Sequence, residues 1–111
     1  MSSYYESDDL NKFGDIGRHG KALADQFFKY YTQVTGADGA LTKREKALIA
    51  LAISHAQKCP YCIDAYTTGC LEAGASPEQM MEAVHVAAAM QAGITLVHSV
   101  QMQNKLDQLI L

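Results

Sequence analysis

Residues 58–66 read KCPYCIDAY, and they follow an apolar segment, residues 47–53, that reads ALIALAI. Pro60 lacks an N–H group and its ring clashes with the preceding turn of a helix, so it favours the first helical position over the interior. We therefore predict that one helix ends just before this proline and that the next begins at it. Cys59 then occupies the N-cap of the second helix, and Cys62 lies in its first turn.

The position of the two cysteines at a helix start determines their expected chemistry. Free N–H groups and the positive end of the helix dipole stabilise a thiolate, which is the reactive form. Cys59 and Cys62 are therefore predicted to form a redox-active dithiol, in which one sulfur attacks a peroxide or disulfide and the other resolves the intermediate. The alternatives are half of a metal site or two buried thiols. A four-thiolate zinc site needs a second pair, and Cys70 alone, more easily explained as a buried hydrophobe, cannot supply it.

The composition of the 111-residue chain sets broad limits on its class. Its length predicts one domain, residues 1–111. Hydrophobic residues make up 49% of the chain and charged residues 19%, so a large apolar surface must be buried. A homo-oligomer is a natural way to bury that surface in a chain of this size, and a compact monomer is the alternative. The net charge of −3 argues against a nucleic-acid partner.

The sequence also bears on the cellular compartment. Residues 1–6 are polar and acidic, which does not fit a signal peptide. No apolar run is expected to be long enough to span a bilayer, so no membrane partner is predicted. We expect a cytoplasmic protein, in which a cysteine pair is more often catalytic or metal-binding than structural. No haem, flavin or nucleotide signature is present, so no cofactor is expected.

The periodicity of the apolar residues predicts six helices and no strand, an all-α fold. The predicted helices cover residues 8–17, 21–35, 42–58, 60–74 and 76 to a break near Gly93, with a last helix from about Ile94. The third helix is apolar on nearly every side over residues 47–53, so it should be the central and most buried one.

Two of these helix starts carry a capping box, in which a hydroxyl and a Glu or Gln three residues later bond each other's backbone N–H groups. Thr42 and Glu45 fit this pattern before the third helix, and Ser76 and Gln79 fit it before the fifth. Capping fully explains Glu45, although a second role as a proton acceptor stays open.

Three further side chains are candidates for roles beside the thiols. His55, four residues before Cys59, could hold or deprotonate a thiol, or it could satisfy the last carbonyls of its own helix. His85 lies among apolar residues and could turn toward the thiols or serve as a core or interface histidine. Tyr66 lies four residues after Cys62 on the same helix face, so its phenol could hydrogen-bond a thiolate or peroxide, or simply pack.

The stretch from Leu41 to Tyr66, which reads LTKREKALIALAISHAQKCPYCIDAY, resembles the AhpD-like / carboxymuconolactone decarboxylase family. Residues 82–89, which read EAVHVAAA, and Val97-His98 extend the resemblance over most of the chain. Within the family, the sequence is most similar to the small peroxidase-like proteins associated with arsenosugar biosynthesis.

The resemblance implies an all-helical fold and a trimer or hexamer of such subunits. It also implies reduction of alkyl hydroperoxides by the cysteine pair, which a thiol donor protein then recharges. In that family the second cysteine is taken as the one that attacks the peroxide. By this correspondence Cys62 would attack and Cys59 would be the resolving partner.

The sequence departs from the family pattern at two positions. Redox members of the family carry a His four residues after the second cysteine, where this chain has Tyr66. They also carry a Glu twelve residues before the first cysteine, where this chain has Ala47, and Glu45 lies on a different helical face. The Glu–His proton relay is therefore absent from its usual places, and His55 and His85 are the candidates to replace it.

The sequence thus predicts a thiol-dependent peroxidase or dithiol–disulfide oxidoreductase, with Cys59, Cys62, His55, Tyr66 and His85 at its site. Its expected partners are a peroxide or disulfide substrate and a thiol electron-donor protein. One alternative is a protein in which the two thiols and a histidine bind a soft metal ion or arsenite. Another is a non-catalytic oligomeric scaffold in which the cysteine pair is vestigial.

Overall fold

The computed structural model describes residues 6–110 and contains no strand in that range. A 3₁₀ helix, Ser7–His19, precedes five α-helices: α1 (Lys21–Thr35), α2 (Lys43–Ala56), α3 (Pro60–Glu72), α4 (Pro77–Val97) and α5 (Ser99–Ile110). The all-α prediction is confirmed, with six helical elements of which the first is 3₁₀. That the whole chain, residues 1–111, is one domain stays a prediction.

Helix α2 is the central element, because α3 and α4 both pack against it. The buried core consists of four small or medium apolar side chains on α2, on α3 and after α3: Ala47, Leu51, Cys70 and Ala75. Helix α2 is not covered on every side, however. Ile49 and Ile53 remain exposed, so the apolar residues around α2 exceed what this chain alone can bury.

The helix starts follow the local signals in the sequence. Thr42 and Glu45 form the predicted capping box at α2, with the Thr42 N–H donating to Glu45 Oε1 at 2.8 Å. Ser76 and Gln79 form the second box at α4. Each box satisfies backbone N–H groups that the first turn of a helix leaves without an intrahelical partner.

Helices α2 and α3 end in the same way. The N–H two residues beyond each C-cap bonds back to a carbonyl in the last turn: Cys59 to Ser54 at 3.0 Å and Ala75 to Cys70 at 2.9 Å. This Schellman arrangement requires a left-handed residue in between. After α3 that residue is Gly74, but after α2 it is Lys58, whose φ is 55°. The α2 end therefore adopts a backbone conformation that is unfavourable for a residue with a side chain.

The predicted break near Gly93 is wrong. Helix α4 continues through Gly93 to Val97. His98 is its C-cap, and α5 begins at the next residue. A glycine inside a helix costs only about 1 kcal/mol relative to alanine. The apolar and small neighbours of Gly93 continue the helix with no turn signal, so this cost is not enough to stop it.

The 3₁₀ helix is unusually long, since such helices rarely exceed three or four residues. Its apolar side chains Leu10, Phe13 and Ile16 are spaced three apart. At three residues per turn such side chains eclipse one another and share one face. The 3₁₀ helix contacts α1 and α3, and all three side chains line a cavity between these elements.

The stretch Pro77–Ile110, which spans α4 and α5, is long and apolar enough to cross a membrane by length and composition. This corrects the expectation that the sequence contains no such run. One helix of this kind is weak evidence for a membrane span, because the core helix of a soluble protein passes the same test. Only 6% of its most apolar 18-residue segment is buried within the chain, so most of this apolar surface is exposed in a single chain.

Candidate functional site

The two cysteines stand where α2 ends and α3 begins. Cys59 is the N-cap of α3 and Pro60 is its first residue, as predicted. The Schellman end of α2 fixes the backbone of Cys59, because the Cys59 N–H is bonded to Ser54 O. Its Sγ lies 3.1 Å from Cys62 Sγ, and both side chains are partly exposed. The two thiols are thus held in contact with each other and open to a reactant.

The surroundings of the two sulfur atoms separate their pKa values. The Cys62 thiol lowers the pKa of Cys59 most, and the backbone N–H groups of Cys62 and Tyr61 add to the effect. Burial raises the pKa of Cys62, and the adjacent Cys59 raises it further. When the pair loses one proton, the negative charge therefore lies on Cys59, and Cys62 keeps its proton and donates it to the thiolate.

A buried hydroxyl lies behind the pair. Ser54 is 3% exposed, and its Oγ donates to Ala50 O at 2.5 Å. The same hydroxyl reaches Cys62, where it opposes the rise in the pKa of that thiol. Ser54 therefore contacts the dithiol through its side chain and, by its carbonyl, fixes Cys59.

A cavity of about 550 Å³ opens over the thiols. Its walls come from the 3₁₀ helix, α1 and the start of α3, and they consist of Asp9, Leu10, Lys12, Phe13, Ile16, Tyr31, Cys59, Tyr61, Cys62, Ala65 and Tyr66. Most of this surface is apolar or aromatic. Lys12 and Asp9 pair with each other at 3.0 Å, so their charges compensate at the edge of the cavity. The site therefore suits a reactant with an apolar group attached to its reactive end.

Two phenols form a polar group inside this cavity. The hydroxyls of Tyr66 on α3 and Tyr31 on α1 are hydrogen-bonded to each other. Burial raises the pKa of the Tyr66 phenol, and the Tyr31 hydroxyl and the charge of Cys62 raise it further. Tyr66 therefore stays protonated at any physiological pH and can donate a hydrogen bond.

The two histidine candidates are not brought to the thiols. His55 Nδ1 bonds the carbonyl of Leu51, 2.9 Å away on its own helix. Its ring lines a second cavity, between α2 and α4, together with Lys58 and Gln91. His85 lies exposed on α4 and lines neither cavity. Within one chain, Cys59, Cys62 and Tyr66 therefore share a site that His55 and His85 do not enter.

The position at which redox members of the family carry glutamate is Ala47 in this chain, and it lies in the buried core. Ala47 is 8% exposed and packs in the buried cluster with Leu51 and Cys70. Glu45 is engaged in its capping box, and the Thr42 N–H lowers the pKa of its carboxyl. Cys70 is fully buried, as its interpretation as a small hydrophobe predicts, and burial raises its pKa.

Sequence reasoning missed Ser54, Tyr31 and the cavity face of the 3₁₀ helix. The i+3 spacing of Leu10, Phe13 and Ile16 was a usable signal, because it fits three residues per turn better than 3.6. Ser54 and Tyr31 carried no local signal. Among residues 6–110, no three His, Cys, Asp or Glu side chains cluster as metal ligands would. Within that range the geometry offers a soft ion only the two thiols.

Comparison with known proteins agrees with the resemblance. The carboxymuconolactone decarboxylase family profile matches residues 21–104. The "uncharacterized protein 4 in cox locus" of Paracoccus denitrificans is 42% identical over 96 residues, which cover 86% of this chain and 86% of that protein. The narrower likeness to arsenosugar-associated proteins stays a prediction. The family match spans α1 to α5, and the protein therefore belongs to the carboxymuconolactone decarboxylase family, as an AhpD-like, all-helical member.

Proposed function

We propose that this protein is a thiol-dependent peroxidase that reduces an organic hydroperoxide to the alcohol while Cys59 and Cys62 become a disulfide. One observation carries the proposal: the Sγ atoms lie 3.1 Å apart at a helix start, beneath an apolar cavity of about 550 Å³. A thiolate at such a position is a nucleophile, and a second thiol in contact with it can displace the oxygen that it takes up.

In the first step the Cys59 thiolate attacks the terminal oxygen of the hydroperoxide. The O–O bond breaks, an alkoxide leaves, and Cys59 becomes a sulfenic acid. The resemblance implies attack by Cys62 instead. The pKa of Cys59, which the Cys62 thiol lowers most and the backbone N–H groups of Cys62 and Tyr61 lower further, supports the opposite assignment, because at neutral pH the lower-pKa thiol has the larger thiolate fraction.

In the second step Cys62, as a thiolate, attacks the sulfur of the Cys59 sulfenic acid. The S–O bond breaks, hydroxide leaves, and the disulfide forms. A thiol donor protein then returns the pair to the dithiol by exchange, in which one donor thiolate attacks the disulfide and a second donor thiol completes the reduction. Because the same exchange can run on other disulfides, dithiol–disulfide oxidoreduction uses the same two sulfur atoms.

The test is stopped-flow oxidation of the reduced protein by cumene hydroperoxide, with mass mapping of the products. Wild type and Cys70→Ala, the matched control for thiol count, are expected to lose two thiols per peroxide and to form the 59–62 disulfide. Cys62→Ser should consume one peroxide and leave a sulfenic acid on Cys59 that dimedone traps. Cys59→Ser should react no faster than free cysteine.

Two results would change this account. If wild-type thiols react with peroxide no faster than free cysteine, the peroxidase proposal is wrong. If Cys59→Ser keeps the fast phase and Cys62→Ser loses it, the function stands but the two sulfur atoms exchange roles.

We also propose that the working protein is a homo-oligomer in the cytoplasm. The exposed apolar residues on α2, α4 and α5 support self-association. The cytoplasmic location rests on the reduced dithiol that the reaction requires, because thiols are kept reduced in that compartment.

A further inference from the structure

The hydrogen-bonded phenols of Tyr31 and Tyr66 have no role in the two steps above. They come from different helices, α1 and α3, whose backbones do not pack closely, and their hydroxyls meet inside the cavity that also exposes both sulfur atoms. A paired hydroxyl beside a nucleophile is a group that can donate and accept a proton.

Tyr66 and Cys62 share one face of α3 and line the same cavity. The two residues are four apart on α3, and long helical side chains lean toward the helix N-terminus, which brings the phenol above the preceding turn. The electrostatic effect of Cys62 on Tyr66 agrees with this proximity. Tyr66 thus lines the cavity that holds both the thiol that must lose a proton and the alkoxide that must gain one.

We infer that Tyr66, held in place by Tyr31, carries a proton from Cys62 to the oxygen that leaves the peroxide. The inference rests on the proposed peroxidase function. As the O–O bond breaks, the Tyr66 O–H bond gives its proton to the alkoxide, which leaves as the alcohol. The resulting phenolate takes the proton of the Cys62 thiol. Cys62 is then the thiolate that attacks the Cys59 sulfenic acid and releases hydroxide.

This transfer explains how the resolving thiol, Cys62, becomes ionised. Burial disfavours the charged form of Cys62, so the resolving thiol is not ionised at rest. A phenolate produced in the same cavity is a stronger base than the thiolate, and it removes the proton only after the peroxide has been cleaved. The resolving thiolate therefore appears when the sulfenic acid is present to react with it.

Tyr31 is a positioning residue in this scheme. Its ring packs against Phe13 and Phe27, with centroids 6.3 and 5.6 Å away, and its carbonyl accepts a hydrogen bond from Thr35 Oγ1 at 2.8 Å. These contacts fix the hydroxyl that holds Tyr66. Tyr31→Phe keeps the ring in place and removes only that hydroxyl.

The first test compares two oxidants on one protein. Cleavage of cumene hydroperoxide releases a strongly basic alkoxide that needs a proton, whereas cleavage of peroxybenzoic acid releases a weakly basic carboxylate. Loss of a positioned proton donor typically costs about 100-fold or more, so Tyr66→Phe should slow sulfenic acid formation about 100-fold with the hydroperoxide and less than about threefold with the peroxy acid. Tyr31→Phe should give a smaller loss, about tenfold, with the same preference.

The second test follows disulfide closure after a pulse of peroxybenzoic acid, which removes the first step from the comparison. Without the phenol, Cys62 must wait for solvent to remove its proton. Tyr66→Phe should therefore close more slowly, accumulate dimedone-trapped Cys59, and recover speed as the pH rises. Tyr30→Phe is the matched control, because Tyr30 is 67% exposed on the same helix as Tyr31 and does not line the cavity.

The outcomes separate the two proposals. A wild type that neither oxidant oxidises faster than free cysteine refutes the peroxidase function. A reactive wild type whose Tyr66→Phe variant keeps the same ratio of rates for the two oxidants and closes as fast refutes the proton transfer alone. A Tyr66→Phe variant that loses the same factor in its rate with both oxidants, as a damaged fold would cause, also counts against the role of Tyr66.

Discussion

The position of the Cys59 thiol depends on the residue before it as much as on the helix after it. Lys58 takes a left-handed conformation, with φ at 55°, so that the Cys59 N–H can turn back to Ser54 O. Backbone strain of this kind is often retained where a functional side chain must be held in place. Here it brings the thiol to the N-cap of α3, where backbone N–H groups stabilise its charge.

The two Schellman ends provide a paired stability test. Gly74→Ala should lower the free energy of unfolding by about 1–2 kcal/mol, because φ of +90° is unfavourable for a residue with a Cβ. Lys58→Gly should raise it by about 0.5–1 kcal/mol, because it relieves the same strain at some cost in chain entropy. Urea unfolding of the reduced protein measures both. A Gly74→Ala variant that gains stability, or a Lys58→Gly variant that loses it, would contradict the left-handed assignment.

The pH dependence of alkylation tests the charge on Cys59. Because the pKa of Cys59 is lowered in the folded protein, the rate of its reaction with iodoacetamide should reach a plateau at a pH below the free-thiol pKa of about 8.5. Cys62, whose pKa is raised, should react only above that value. Mass mapping of the modified residue across the pH series distinguishes the two thiols. Urea-unfolded protein, in which both should titrate alike, is the control.

At the scale of the elements, the 3₁₀ helix forms one wall of the cavity over the dithiol. Its i+3 face supplies Leu10, Phe13 and Ile16 to the cavity wall, and Phe13 packs edge-on against Phe28 at 5.0 Å. The aromatic contacts to α1 hold it there. Access to the thiols therefore depends on an element that contributes no reactive group.

Phe13→Ala should widen the entrance to the thiols. We expect it to accelerate the labelling of Cys59 by a bulky maleimide more than its labelling by small iodoacetamide, because only the larger reagent is limited by the cavity wall. Leu23→Ala is the control, since Leu23 is 75% exposed on α1 and does not line the cavity. Equal acceleration of both reagents would indicate a general loosening of the fold instead.

Helix α2 anchors the small core, and Leu51 is its largest fully buried side chain. Leu51→Ala should lower the free energy of unfolding by about 2–5 kcal/mol, because it removes buried methyl groups and leaves a cavity. Ile53→Ala, on the same helix but 57% exposed within one chain, is the matched comparison. In an isolated chain, Ile53→Ala should lower the free energy of unfolding much less than Leu51→Ala does. An equal loss in the two variants would mean that a partner covers Ile53.

At the scale of the whole molecule, a single chain exposes more surface than a compact monomer of its mass. Its accessible surface is 8720 Å², whereas a compact monomer of 12.1 kDa exposes about 6,000 Å². Its radius of gyration is 19.0 Å, against about 13 Å for a compact domain of this length. Among the described elements, α5 contacts only α4. The excess surface is several times the ~800 Å² that one partner buries in a standard interface.

We expect the protein to sediment without detergent as an assembly, such as the trimer or hexamer that the resemblance implies. Leu109→Lys, at a position 69% exposed on α5, should reduce the mass of the assembly, because it places a charge where a second copy buries an apolar residue. Gln103→Lys, an exposed polar position on the same helix, is the control. A monomer at micromolar concentration, or a protein that needs detergent, would contradict this expectation.

The sequence by itself determined the features that depend on neighbours in the chain. Capping boxes at Thr42 and Ser76, the helix start at Pro60, the N-cap position of Cys59 and the burial of Cys70 all follow from local backbone chemistry and apolar spacing. Such signals act within one helical turn or one helix face, so they can be interpreted from the order of residues.

Only the tertiary structure decided which side chains meet. Tyr31 and Tyr66 are 35 residues apart, and their hydroxyls meet because the 3₁₀ helix contacts both α1, through the aromatic cluster, and α3. His55 is four residues from Cys59, yet its ring turns to the α2–α4 groove because the Leu51 carbonyl holds it there. The direction of a side chain depends on packing between helices, and that packing depends on the whole chain rather than on local spacing.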